Sequence, residues 1–477
     1  MDVNQKYPKA KKATFLILSL YVIITLMSTT LSWVWAGEMQ KTSLLNPQYL
    51  DETAKFWHSI HTNVSASNQN FVIMHLGDSH VQTPHFGGAI KSVLSSALPP
   101  SASGLLFPYS LCKSYGPPQL IADTAGTWTC STLLTSSPSR GIGPQGYVLY
   151  SQESGSKIQL KFNSLPGIKL SHPLFVRIFH GEGHQVNLAT CSLHVYTQKT
   201  TARGSQKLKR ASAVYIRRVE SDQKSNLDPV HLKNNSSNFQ NANYNKMQTE
   251  FYLSELSTSP ASSSKGQLSS AIQSKNNDTG NASEHEILSC MLQSLQSNFV
   301  FKGVETFNSK ISAGLVYHKM GLVGAKMPNL LMDSLELRKQ ISLLRSHLII
   351  LSYGTNESYA PVFNLEKYVT EWEKLLYLLQ QIAPQAGIIL TFPPYTQANG
   401  KKAAWDKEVR LALNQILQRY QVVGYDLGRA MGGEEAFINW YRAGLVKKDG
   451  LHFEALGYKL QGESFGDALL KVLSKYK

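Results

Sequence analysis

Four short polar stretches contain the residue types that acyl transfer requires. Residues 71–82 read FVIMHLGDSHVQ, an apolar run that ends in Gly77-Asp78-Ser79-His80. Further on come GLVGA (321–325), GTNE (354–357) and DGLH (449–452). A serine hydroxyl is a weak nucleophile until a neighbouring base takes its proton. Ser79, presented on a tight turn, is the candidate nucleophile, and His452 is its candidate base. Asp449, three residues before His452, is near enough in a tight loop to accept a bond from Nδ1–H and fix the imidazole tautomer. A tetrahedral intermediate also needs donors aimed at its oxyanion. The Ser79 N–H, the Gly324 N–H and the Asn356 carboxamide are the candidates.

Each stretch has a plainer meaning when taken singly. Gly, Asp and Ser all form turns, an isolated Asp-x-x-His fits a surface loop, and Gly321 or Gly324 can serve close helix–strand packing. Order and placement favour the joint interpretation. Phe71–Leu76 is continuously apolar, as in a strand covered on both faces. Helices are expected over 49–60 and 87–98. From residue 311 onward, strand-length runs alternate with helical periodicity. The clearest helix is LEKYVTEWEKLLYLLQQIA, with Tyr368, Val369, Trp372, Leu375, Leu376 and Leu379 at i, i+3, i+4, i+7 spacing. That alternation predicts an α/β fold, a parallel sheet with helices on both faces. Ligands in such sheets bind at the carboxyl ends of the strands, where three of the four stretches fall. Between about 127 and 310 the segments are short and alternating, as in GYVLYSQ and LFVRIFH, which predicts an inserted antiparallel β domain. The α/β parts are therefore 45–126 and 311–477. Residues 220–285, rich in Asn, Ser, Gln and Lys, are expected to form a mobile loop.

The hydrophobic fraction of 42% and charged fraction of 17% over 477 residues describe a globular chain with a substantial core. Residues 1–12 carry Lys6, Lys9, Lys11 and Lys12. Residues 13–36 contain no charged side chain and are long enough to cross a hydrocarbon core of roughly 30 Å. A cytoplasmic tail and an inner-membrane anchor are the expectation, with cleavage after Ala36 as a signal peptide the alternative. Either exports the body of the protein, to the periplasm when anchored or as a secreted protein after cleavage. The net charge of +15 suits attraction to an anionic envelope polymer or membrane surface. KLKRASAVYIRRV (207–219) is the one stretch with a nucleic-acid pattern, and no nucleic-acid partner is expected. Cys112, Cys130, Cys191 and Cys290 allow two disulfides in three connectivities. A Cys112–Cys130 bridge is suggested by proximity, and buried free thiols are the other possibility. His75, His80 and His85 are five apart, a spacing that fits neither one helix face nor one strand face. No metal or cofactor is expected. Asp78 and Glu357 form a possible carboxylate pair without a second supporting feature, and Asp78 is expected to bond within its own turn.

GDSH, GLVGA, GTNE and DGLH, in this order, resemble the four blocks of the SGNH (GDSL-like) hydrolase superfamily. The resemblance is closest to bacterial peptidoglycan O-acetylesterases, which carry a β-sandwich insertion akin to a carbohydrate-binding module. It extends through LSYGTNE, ILTFPPYTQ, YDLGRAMGG and DGLHFEALGYKLQGE, from about Phe71 to Leu470 apart from the Asn/Ser-rich segment. It implies a three-layer SGNH-like domain interrupted by an antiparallel β-sandwich. Ser79 becomes the nucleophile, Asp449 and His452 its partners, and Ser79, Gly324 and Asn356 the oxyanion hole. The implied activity is an exported serine esterase removing O-acetyl groups from a cell-wall glycan, above all O-acetylated muramic acid. A polysaccharide O-acetyltransferase and a catalytically silent glycan-binding protein are the competing expectations. Oligomeric state is left open.

Overall fold

The apolar runs Phe71–Gly77 (β1), Leu315–Gly321 (β2), Leu348–Ser352 (β3), Gly387–Phe392 (β4) and Val423–Asp426 (β5) form a five-stranded parallel sheet in the order β2-β1-β3-β4-β5. Gly77 stands opposite both Gly321 and Ser352, and Ser352 opposite Thr391, so the central strands end at one level. This computed structural model describes residues 39–475 except 41, 63–68, 117–118, 136–140, 144, 164–173, 182–183, 185, 202–203, 206–208, 216–247, 254–281, 309–310 and 312. The segment expected to form an anchor, 13–36, and most of 220–285 lie outside the described residues. Among the described residues no helix is long and apolar enough to cross a membrane.

Successive strand side chains point to opposite faces, and both faces are buried. Phe71, Ile73, Leu315, Tyr317, Leu348, Ile350 and Ile389 enter one core. Met74, Leu76, Ile349, Leu351, Ile388 and Leu390 enter the other. The long helices are α1 (Asp51–Thr62), α2 (Pro84–Ser95), α3 (Ser334–Leu344), α4 (Leu365–Ile382), α5 (Asp406–Arg419) and α6 (Ala455–Leu473). α1, α2 and α6 cover the first face and α3, α4 and α5 the second. In α4 the six apolar positions expected from periodicity are all buried, and the Asn364 side chain caps the Lys367 N–H. Two helix boundaries differ from expectation. α2 starts at Pro84 rather than Gly87, because Pro suits the first turn and the Thr83 hydroxyl accepts from His85 N–H. α1 starts at Asp51 after a 3₁₀ turn over Pro47–Leu50. Leu45 pairs with Gly424 and covers the free edge of β5.

Between β1 and β2 the chain builds two antiparallel sheets. One orders Gln248–Leu253, Leu174–His180, Val300–Asn308, Tyr147–Ser151 and Trp128–Thr132. The other orders Leu120–Ala125, Lys157–Phe162, Ala282–Ser294, Val186–Thr201 and Gly204–Ser205, with Lys209–Tyr215 also paired to Val186–Thr201. The antiparallel region thus opens at Leu120, before the expected boundary at 127, since LIADTA already buries Leu120 and Ala122 while exposing Ile121. Within the stretch expected to be mobile, Gln248–Leu253 and the residues from Ala282 are strands. Phe251 and Tyr252 are residue types that favour a pleated, half-buried surface. The entering and leaving chains run side by side, with Leu106 exchanging backbone bonds with Val304 and Ser103 N–H donating to Thr306 O. Leu149, Ile178, Leu160 and Leu292 from the two sheets share a core with Leu76 and Leu351 of the parallel sheet. A buried Lys302–Glu336 ion pair joins the first sheet to α3.

Cys112 and Cys130 are bridged, and Cys290, opposite Cys191 in its ladder, is also disulfide-bonded. The first bridge closes a sequence separation of 18 residues. A Cys112→Ala/Cys130→Ala variant is expected to lose about 3 kcal/mol of unfolding free energy, the closure entropy of such a loop. Denaturant titration reads this directly, and an unmoved midpoint contradicts it.

Candidate active site

β1 passes directly into a helical turn over Ser79–Gln82, and four local contacts hold that turn. The Asp78 side chain accepts from His80 N–H at 2.9 Å and caps its start. Lys319 Nζ donates to the carbonyls of Gln82 and Thr83, each at 2.8 Å, and so satisfies its end. Gly321 lies so close that a Cβ there would meet Gln82 N at 2.0 Å. Beneath the turn, His75 bonds Tyr317 Oη and Ser352 Oγ at 2.7 Å each, and Thr391 Oγ1 donates to Ser352. This buried polar strip crosses four strands on the face covered by α1, α2 and α6.

The loop before α6 brings the base to the turn. Ser79 Oγ lies 3.0 Å from His452 Nε2, and His452 Nδ1 lies 2.8 Å from Asp449 Oδ2. Both bonds are satisfied when Nδ1 carries the ring proton and donates to Asp449, leaving Nε2 to accept from Ser79. Asp449 Oδ1 accepts from the N–H groups of Leu451 and His452, each at 2.9 Å. Partial burial pushes the Asp449 carboxyl up, and these bonds with the imidazole outweigh it and hold the group below the usual carboxylate range. A short hairpin after β4 braces the loop, with Gln397 N–H donating to Gly450 O and Asn399 N–H to Asp449 O.

The oxyanion candidates lie on segments tied to the nucleophile turn and to one another. Gly324 sits at φ +76°, and a Cβ there would meet only Leu134 Cδ1 at an ordinary 3.9 Å, so this glycine is required by the turn over Leu322–Ala325, whereas Gly321 is required by packing. Gln82 Oε1 accepts from Val323 N–H at 3.0 Å, which orients that turn against the nucleophile. Asn356 Nδ2 donates to Ala325 O at 2.9 Å, and a carboxamide has a second N–H to offer. Glu357 accepts from Met327 N–H at 2.7 Å and Gly354 N–H at 3.1 Å, tying the Asn356 helix to the oxyanion turn. Among the described residues no acceptor takes the N–H of Ser79 or Gly324. Preorganised donors beside an activated hydroxyl are what acyl transfer through a tetrahedral intermediate needs.

Ser79, His452 and Asp449 are bonded in series, and the Gly324 turn and Asn356 are tied to the nucleophile turn and to each other. The three histidines weighed as ligands go separate ways: His75 into the strip, His80 Nδ1 to Tyr458 Oη at 2.9 Å, and His85 to the exposed surface. Burial, with His452 nearby, pulls His80 down to about 3, so a neutral ring packs beside the base. Asp78 and Glu357 are both buried and committed to backbone N–H groups, not paired across a cleft. Gln82 and Lys319 were not foreseen as parts of the site, and Glu357 was considered only as a carboxylate partner of Asp78. Gln82 had a readable signal, since it lies three residues from Ser79 on one helical face. Glu357 had another, as an acid three residues after Gly354, placed to accept the N–H of that residue at the start of a helical turn.

Burial raises Asp78 to about 8, and Glu357 adds to the rise. The native state therefore holds a proton that the unfolded chain releases above about pH 4. The Asp78 contribution is complete below that pH and is lost as pH rises through 8. Relative to Asp78→Asn, wild-type unfolding free energy is expected to fall between pH 5 and pH 8, by at most about 1.4 kcal/mol per pH unit. Denaturant titrations at the two pH values check it, and a difference that grows with pH contradicts it.

No protein-family model matches the chain, and no curated protein matches it. Solved structures do. A peptidoglycan O-acetylesterase superimposes with a TM-score of 0.58 at 17% identity, over 88% of this chain and 96% of that one. A lipase/acylhydrolase from Enterococcus faecalis (TM-score 0.27, 17% identity) covers 33% of this chain and 76% of its own. A carbohydrate esterase family 3 protein from Talaromyces cellulolyticus (TM-score 0.27, 15% identity) covers 33% of this chain and 72% of its own.

Proposed function

From the SGNH-hydrolase fold as premise, we propose that this chain is an exported serine esterase that removes O-acetyl groups from a cell-wall glycan, O-acetylated muramic acid in peptidoglycan foremost. The observation that carries the proposal is the Ser79–His452–Asp449 relay, with bonds of 3.0 and 2.8 Å beside two backbone N–H groups that no acceptor takes among the described residues. Ser79 Oγ attacks the acetyl carbonyl while His452 Nε2 takes its proton. The oxyanion is met by the N–H groups of Ser79 and Gly324 and by Asn356. His452 then returns the proton to the departing sugar hydroxyl, leaving acetyl-Ser79. Water, deprotonated by His452, attacks that ester, and acetate leaves as Ser79 regains its proton. Asp449 stays ionised throughout and stabilises the imidazolium.

The likeness to a peptidoglycan O-acetylesterase over 88% of this chain supports the glycan assignment, and the charge-free segment 13–36 supports export with inner-membrane anchoring. Purified protein is expected to release acetate from O-acetylated peptidoglycan, measured on muropeptides by mass spectrometry. Ser79→Ala is expected to abolish release, and activity retained in that variant refutes the nucleophile. Transfer of acetyl to a glycan acceptor faster than to water would replace the esterase with an acetyltransferase. Asn356→Ala is expected to lower kcat by about 10²- to 10³-fold, the usual loss for one oxyanion donor. An unchanged kcat removes Asn356 from the hole.

A further inference from the structure

Tyr115 stands at the nucleophile, and the mechanism above does not use it. Its hydroxyl donates to the Ser79 carbonyl at 3.2 Å, and its own carbonyl accepts from Gln82 Nε2 at 2.5 Å. The residue is nevertheless 47% exposed. The segment leading into it is held by a disulfide and by hydrogen bonds. Cys112, three residues earlier, is bridged to Cys130 on the Trp128–Thr132 strand. Lys113 turns the chain at φ +53°, and Ser114 Oγ bonds both Gln82 Nε2 and Tyr147 Oη.

An aromatic side chain on an ordinary surface loop loses freedom when a ligand binds, and that loss weakens binding. Here the bond to the Ser79 carbonyl already restrains the side chain in the folded protein. The Tyr115 hydroxyl is engaged, so the chemistry left to offer is the ring, an apolar surface of fixed orientation beside the attacked ester. Rigid, amphipathic tyrosines give large contact area at low entropic cost. Val323 and Leu134, each 40% exposed, stand at the oxyanion turn. The apolar C–H face of a pyranose is the partner that suits such a platform.

We infer that Tyr115 is a substrate-binding residue on which the sugar ring carrying the acetyl ester stacks, held in place by the Cys112–Cys130 loop. The inference rests on the esterase proposal for its substrate class. Kinetics of wild type, Tyr115→Ala and Tyr115→Phe on p-nitrophenyl acetate and on O-acetylated peptidoglycan test it. Tyr115→Ala is expected to raise KM for the glycan about ten-fold or more, and KM for the small ester by less than about three-fold. Tyr115→Phe, which keeps the ring, is expected to hold the glycan KM within about two-fold. Equal losses on both substrates, or no loss on the glycan, overturn the inference. A second readout is independent of turnover: binding of solubilised peptidoglycan strands to Ser79→Ala and to Ser79→Ala/Tyr115→Ala. A Kd about ten-fold weaker in the double variant is expected, and equal values overturn the platform. Wild type inactive on both esters, with that difference in Kd intact, sinks the esterase and leaves the platform standing.

Discussion

The packing of α6 against α2 is the constraint on which the site depends. α2 begins just after the nucleophile turn, and α6 begins just after the His452 loop. Their contact is close enough that a Cβ at Gly462 would meet Phe86 O at 2.5 Å, and Val93 lies against Gly466. Close-packed interiors transmit small displacements instead of absorbing them. The separation of two residues 373 positions apart in the chain, 3.0 Å at the reacting atoms, is therefore set by apolar contact between two helices. The parallel sheet supplies the other half of the constraint, since β1, β2 and β3 end abreast and deliver Ser79, Gly324 and Asn356 to one edge.

Under that edge lies an unusually polar interior. His75, Tyr317, Ser352 and Thr391 bond in a strip, and Gln82 is fully buried with acceptors and donors on both sides. In a low-dielectric interior such groups are costly when unpaired and rigid when satisfied. Gln82 is the junction: it touches the oxyanion turn through Val323, the antiparallel region through Tyr147, and the loop leading into that region through Ser114 and Tyr115. The antiparallel sheets are thus continuous with the α/β part in both apolar core and polar network, so a displacement in one is felt at the nucleophile of the other.

Much of the α/β part was legible because its signals are local. The α4 face, the strands and the turn chemistry of GDSH and GTNE each depend on residues a few positions apart. Errors arose where local signals compete. Pro84 displaced the expected start of α2, and LIADTA looked like the tail of the α/β part although its alternation already matched a strand. Gln248–Leu253 was masked by polar neighbours that dominate the composition of its surroundings. The different structural roles of Gly321 and Gly324 are visible only in three dimensions, where one glycine faces the nucleophile turn and the other bends the backbone.

The sequence by itself determined the fold class, the serine, histidine and aspartate types, and their order along the chain, because periodicity and turn preference are short-range properties of neighbouring residues. Only the tertiary structure decided that Gln82 links the nucleophile to the oxyanion turn, that Glu357 fastens the Asn356 helix, and that Tyr115 leans on Ser79. Those contacts join segments separated by long stretches of chain, and no spacing within any one segment encodes its partner. Burial and distance create the chemistry of such residues, and both exist only after the chain has closed on itself.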